Sequence, residues 1–279
     1  LFLAPKEVSK MSKLNKIING IAALINQPSL INLILDSSEY HRKMVENKYS
    51  EIAHGLPQIA LSDLTSSTKI VVSPFAFLEG GSLPTDLGLL KILAQKNTPC
   101  TYFEIGTWRG ESVANVAAVA TKCYTLNLSA EAMKALGLKK EYIDLHGFFS
   151  KDLSNVEHLN GHSHSFNFSA YQRKIDLVFV DGDHHYESVL KDTETAFSLL
   201  KDEKSMIVWH DYTVGPEVIR YEVFRGIWEG TPEEKRKHLY KVANTQCAVY
   251  YPYEVKSKLV EYPQKPEVNF EVEVRVISL

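Results

Sequence analysis

Glu104-Ile105-Gly106-Thr107-Trp108-Arg109-Gly110-Glu111-Ser112 decides how the rest of this chain is read. The stretch joins a short apolar run, 101–105, to an alanine-rich helical run, 113–120. Two glycines four apart at such a junction let the backbone turn sharply and approach a ligand more closely than any Cβ allows. The free N–H groups of the incoming helix then face that ligand and favour negative charge. A nicotinamide-binding turn reads Gly-x-Gly-x-x-Gly. This one reads Glu-x-Gly-x-x-x-Gly, with a carboxylate at the strand end, which argues against a nicotinamide oxidoreductase. It suits a ligand bearing both an ammonium and a carboxylate.

Composition narrows the rest. With 279 residues, 44% of them hydrophobic and 23% charged, the chain has enough material for one sizeable core and an accessory region. Lys plus Arg number 31 against 34 Asp plus Glu, a net charge of −3, and no basic run points to nucleic acid. Cys100, Cys123 and Cys247 lie far apart without metal-ligand spacing and read as buried free thiols of a reducing compartment. No apolar stretch reaches the ~20 residues that span a bilayer, so no membrane partner is expected and a cytoplasmic location is. Residues 1–5 are too short for a secretory leader, and Pro5 interrupts them.

Two regions emerge along the chain. Residues 1–83 read as an N-terminal helical extension or cap, because Leu14, Ile17, Ile18, Ile21, Leu24 and Ile25 recur at helix spacing. A second run follows Pro28 through Leu30, Leu33 and Ile34. An amphipathic stripe of this kind mostly packs on the neighbouring core; the other reading is a lid or a dimerisation arm, and so a homo-oligomer through these helices. Pro57, Pro74 and Gly80-Gly81-Ser82 mark an irregular boundary.

From 84 to 279 helix and strand alternate. Strands are expected over 101–105, 123–128, 156–159, 175–180 and 206–209. Helices are expected over 86–95, 111–121, from Ser129 onward, 188–200 and 217–228, with Ser129 as a cap. Such alternation implies a parallel sheet covered by helices on both faces, and the Val- and Ile-rich strands fit that burial. Residues 248–251 and the alternating 268–277 could close as an antiparallel pair. Ligands of open parallel sheets sit beyond the carboxyl ends of the strands. The polar residues there are Glu104, Asn127, the Asn160-Gly161-His162-Ser163 turn, the Asp181-Gly182-Asp183-His184 turn, and His210-Asp211.

Together these motifs resemble the class I S-adenosylmethionine-dependent methyltransferases over about 84–279. The likeness is to the branch reading Phe-Glu-Ile-Gly-Thr-x-x-Gly-x-Ser (Phe103 to Ser112), Val-Asp-Gly-x-His-x-Tyr (Val180 to Tyr186) and a strand ending in His-Asp (His210-Asp211). The resemblance implies a doubly wound, mostly parallel seven-stranded Rossmann-like sheet with its last strand antiparallel. Cofactor would lie over the first strand ends, touching Glu104, Gly106, Thr107, Trp108, Gly110, Ser112, Asn127, His162, Ser163 and Asp181. The small-molecule acceptor would lie above the fourth and fifth strands. Two positions depart from the family. Asn127 stands where Asp or Glu accepts the ribose diol, and an amide offers only one acceptor oxygen. His162 replaces the aspartate of a Gly-Asp-Ser turn near adenine.

Methyl transfer to a hydroxyl needs alignment and a base. His184 suits that role by its near-neutral pKa, with Asp181 and Asp211 beside it as catalytic candidates. Asp181, His210 and Asp211 could instead hold a divalent cation, Mg²⁺ or Mn²⁺, which would bind vicinal hydroxyls and acidify one; the imidazole favours Mn²⁺ or Zn²⁺ over Mg²⁺. Metal-dependent sugar O-methyltransferases look similar here. The expected activity is therefore O-methylation of a small polyhydroxylated acceptor such as a sugar or glycosylated metabolite. The alternative is a catalytically silent protein that kept the fold. Blander roles are open for several residues: Asp181 and Asp211 as turn caps, His185 facing solvent or paired with Glu187, and Tyr186 and Trp209 as packing.

Overall fold

The computed structural model describes residues 12–31 and 37–278. Helix α1 (Lys13–Asn26), a 3₁₀ turn (Pro28–Ile31), α2 (Ser38–Lys48) and the two-residue strand β1 (Gln58–Ile59) form the N-terminal part. Then come α3 (Pro84–Lys96), β2 (Thr101–Ile105), α4 (Glu111–Ala117), β3 (Lys122–Asn127), α5 (Ala130–Ala135), α6 (Lys140–Ile143) and β4 (Val156–Asn160). The last part comprises β5 (Leu177–Val180), α7 (Tyr186–Leu199), β6 (Met206–Trp209), the hairpin β7 (Thr213–Val214) and β8 (Val218–Ile219), α8 (Tyr221–Gly230), β9 (Leu239–Val242) and β10 (Ala248–Tyr250).

The main sheet has the order β1-β9-β10-β6-β5-β2-β3-β4. It is parallel except for β10, which runs against both β6 and β9. Strand order therefore reverses between β2 and β5, and that switch point opens a crevice at the carboxyl ends. The doubly wound, mostly parallel architecture is as expected, with one strand more than seven. The extra strand is β1, which comes from the N-terminal extension and pairs in parallel with β9, Gln58 opposite Lys241.

Strand side chains alternate between two apolar layers. Tyr102, Phe179, Val208 and Val249 pack with Leu89, Leu93, Val113 and Val116 on one face. Phe103, Val178, Ile207 and Trp209 pack with Val189, Ala196, Phe224 and Ile227 on the other. Both faces being buried explains why these strands read as continuous apolar runs. Trp209 is fully enclosed and donates Nε1–H to Thr193 Oγ1 at 2.9 Å, so it is packing and not an acceptor wall. All three cysteines are buried and free.

Three expectations are corrected. Residues 268–277 form no strand; β10 takes β6 and β9 as its partners, leaving the alternating tail exposed. Helix α8 starts at Tyr221 rather than 217, because 213–219 turn back on themselves as the β7–β8 hairpin. The α1 stripe does not pack on the core: Leu14 is 65% and Ile25 72% exposed, and no residue of α1 is buried. Leu33 and Ile34 lie outside the described residues. It is α2 that docks, burying His41 and Val45. Among the described residues, no helix is long and apolar enough to cross a membrane.

Glu229 on α8 fastens this extension. It accepts from Lys48 Nζ and Tyr49 Oη, each at 3.0 Å, and from Tyr186 Oη, with Arg225 Nε at 3.4 Å. Burial opposes its charge, but the Tyr186, Lys48 and Tyr49 donors and the Arg225 charge bring its pKa down to about 2. A depressed carboxyl stabilises the fold above its ordinary value and loses that contribution as pH falls through the folded one. Glu229→Gln should therefore destabilise the protein at pH 7 by about 1–3 kcal/mol, measured by urea denaturation. The gap between variant and wild type should close as pH drops from about 4.5 toward about 2.

Candidate active site

The parallel strands stay in register up to their last residues. Gly106 N–H donates to Leu126 O at 2.9 Å, Asp181 N–H to Ile105 O at 2.8 Å, and His210 N–H to Val180 O at 3.0 Å. Their polar end residues consequently open on one cleft of about 740 Å³. Gly106, Thr107, Trp108 and Ser112 line one side, with Asn127, His162 and Ser163 beyond; Asp181, His184, His210 and Asp211 line the other.

Two residues expected to touch cofactor lie elsewhere. Glu104 is wholly buried beneath the cleft, where its carboxylate accepts from Tyr102 Oη at 2.7 Å and Thr125 Oγ1 at 3.1 Å. Burial raises its pKa to about 8 against the pull of the Tyr102 and Ser112 hydroxyls, so at neutral pH it is mainly a protonated strut. Gly110 does not line the cleft. It adopts φ +78°, and a Cβ there would meet Ser150 Oγ at 2.2 Å, so it packs chain on chain.

Gly106 also has a different reason from the one its sequence suggested. At φ +97° its missing Cβ would lie 2.0 Å from the carbonyl oxygen of Asp181. The glycine is needed because two strand ends meet there, one carrying the first turn and the other the acidic turn. Left-handed backbone recurs at Trp108, φ +41°, and Asp211, φ +55°, both on the cleft. Strain of this kind persists where the surroundings over-determine it. Trp108 is held by Tyr142, ring centroids 4.6 Å apart, and by His146 at 5.0 Å.

Tyr142 and His146 themselves line the cleft, as do Gly80, Gly81, Ser82 and Gln246. Sequence reading missed all of these. Tyr142 lies on α6 and His146 in the turns that follow it, so no helical spacing in the sequence pointed to the pair. The 73–81 segment is strapped across the first turn. Arg109 Nη1 donates to Glu79 O at 2.8 Å, Glu111 accepts from Ala76 N at 3.0 Å, and Asn115 accepts from Ser73 N at 2.8 Å.

The acidic side is a compact network. His210 Nδ1 lies 3.2 Å from Asp181 Oδ1 and 3.1 Å from Asp211 Oδ2, while Nε2 lies 3.1 Å from Asp86 Oδ2. Burial works against the His210 charge, yet the carboxylates of Asp181, Asp211 and Asp86 raise its pKa well above the usual value. Asp211 is held low despite burial, by His210, His184 and Arg220, whose Nη1 is 2.9 Å from Oδ1. His184 Nε2 is 3.2 Å from Asp211 Oδ2 and its ring is partly open to solvent. His185 pairs with Asp183, and Tyr186 donates to Glu229.

The donor set also fits a divalent cation. Asp181, His210 and Asp211 each offer one ligand atom within 4.8 Å of the others. An outer carboxylate on the far ring nitrogen, here Asp86, is the arrangement that orients a metal-binding histidine.

Residues 103–212 match the family described as a methyltransferase domain. The matched segment holds the first turn, the acidic turn and His210-Asp211, which supports the likeness to the class I S-adenosylmethionine-dependent methyltransferases. No protein of curated function matches it in sequence. Among solved structures, the YcgJ protein from Bacillus subtilis is 18% identical, with 44% of this chain and 48% of that one covered and a TM-score of 0.34. This chain thus spans about half the length of that protein. An O-methyltransferase from Bacillus cereus, in complex with SAH, is 17% identical over 62% of this chain and 84% of that one, TM-score 0.42. Spermidine synthase from Thermotoga maritima is 13% identical over 62% and 66%, TM-score 0.38.

Two expectations follow for the first turn. Gly106→Ala should lower stability by at least about 2 kcal/mol, at the upper end of ordinary point mutations, because backbone rather than ligand meets the new methyl; an unchanged denaturation midpoint would contradict it. Glu104 has a raised folded value, so its contribution is full below about 4.5 and is lost as pH rises to about 8. Across that window the melting temperature of wild type should fall relative to Glu104→Gln.

Proposed function

We propose that this protein transfers the methyl group of S-adenosylmethionine to a hydroxyl of a small polyhydroxylated acceptor, such as a sugar or glycosylated metabolite. The observation that carries the reading is the placement of His184 and the Asp181–His210–Asp211 network on one cleft with the glycine turn. The methyltransferase-domain match over 103–212 supports the group transferred.

The methionine end of the cofactor would rest against Thr107 and Trp108, and the nucleoside against Asn127, His162 and Ser163, all of which line the cleft. Asn127 can give the ribose one acceptor oxygen and an N–H₂, a weaker hold than a carboxylate. On the other side Asp211 engages His184 at Nε2. That contact selects the tautomer with Nε2–H and leaves the Nδ1 lone pair as base. When the methyl group passes to the acceptor oxygen and S-adenosylhomocysteine leaves, Nδ1 would take the hydroxyl proton and Asp211 would stabilise the imidazolium. A divalent cation, when bound by Asp181, His210 and Asp211, would supply Lewis acidity toward acceptor hydroxyls.

Calorimetric titration with S-adenosylhomocysteine should show binding; its failure in the folded protein would favour a silent member of the family. With a hydroxylated acceptor in hand, His184→Ala should lower kcat by about 10²–10⁴, the range for a positioned base. If the cation takes part, EDTA should abolish turnover and Mn²⁺ restore it. Full activity of the His184→Ala protein would remove His184 from the mechanism whatever the metal result.

A further inference from the structure

A second cavity of about 580 Å³ lies on the outer side of the β7–β8 hairpin and shares no lining residue with the cleft. Its floor is formed by β1 and β9, where Gln58 and Lys241 are direct partners in register. Paired residues of neighbouring strands project to the same face, so the amide and the ammonium stand side by side. Both are nine-tenths buried, Lys241 at 5% and Gln58 at 7% exposed.

Neither side chain is satisfied by the protein. Among the described residues, Lys241 Nζ makes no hydrogen bond or ion pair, and the Gln58 amide has no side-chain partner; Gln58 is bonded through its backbone to Lys258. Neither head group is among the sealed orphan atoms of the core, so both open on the cavity. Burial pushes the Lys241 pKa down, and the only opposing influence is Glu217, at a distance. A buried ammonium without a partner is costly, and a fold keeps such a group where something else completes it.

We infer that this cavity binds a small organic monocarboxylate, its carboxylate seated on Lys241 and Gln58 and its apolar body against Leu56 and Ile219. One ammonium and one amide N–H₂ match the two oxygens of a single carboxylate. The lining also carries Glu39, Glu217 and Glu261 against one further cation, Arg42, which is already paired with Glu39 at 3.0 Å; this acidic balance disfavours the second negative charge of a phosphate. Leu56, Val218, Ile219 and Val260 supply the apolar part of a lining that is otherwise mostly polar.

The test is saturation-transfer NMR and calorimetry on the full chain, with benzoate as probe and benzyl alcohol and inorganic phosphate as controls. Benzoate should bind, and Lys241→Met and Gln58→Leu should each weaken it, the first by at least about tenfold as loss of a charge-assisted bond implies. Melting curves establish that each variant is folded, and Lys241→Met, which removes an unpaired buried charge, should melt no lower than wild type. S-adenosylhomocysteine binding should be unchanged in both. No benzoate binding to wild type, equal binding of benzyl alcohol, preference for phosphate, or full binding by Lys241→Met would each overturn the inference.

Discussion

His210 is gripped from both sides of its ring, and much of the molecule hangs on that grip. Its far partner, Asp86, sits in the first turn of α3 with no exposed surface, and also accepts from Leu83 N at 2.7 Å and Gln246 N at 2.9 Å. One buried carboxylate thus ties the start of α3, the end of β6 and the approach to β10. Interior charges of this kind cost much to bury, but removing one partner costs more, because the others are left uncompensated. The network is a structural tie as much as a chemical one.

The same economy of contacts appears at the first turn. Glu111, Arg109 and Asn115 belong to the helix start that could have served a ligand, yet their polar groups hold the 73–81 strap. What remains for a ligand is the face made by Thr107, Trp108 and Ser112. The cleft is therefore bounded on one side by a segment that precedes the sheet domain, and Gly80 and Gly81 form part of its wall.

Fold class and the location of the site were legible because period and position survive in a linear string. Val- and Ile-rich runs of strand length marked β5 and β6, and the polar residues that follow them had to lie on the carboxyl edge. Partner identity was not legible. Asp86 read only as the opening of a helix, since its bond to His210 joins positions 124 apart. Gly106 read as a turn glycine, but that a Cβ there would meet the backbone of Asp181 was not legible, because the two belong to different strand ends. The alternation in 268–277 carried a strand's pattern, but 248–251, its expected partner, lies between β6 and β9 as β10. The α1 stripe had the periodicity of a packed helix, but among the described residues none of α1 is buried.

The strand β1 has a consequence for how the chain reaches this state. It closes the sheet by pairing with a strand near the other end of the sequence, and Lys48 meets Glu229 across 181 positions. Contacts that distant form only after the loop between them has been ordered, since closure entropy must be met first. Pairing across such a separation carries a closure cost that favours its late formation. Until then the outer edge of β9 presents unpaired backbone groups, an edge open to strands of other chains. In the folded protein it is the two residues of β1 that cover this edge.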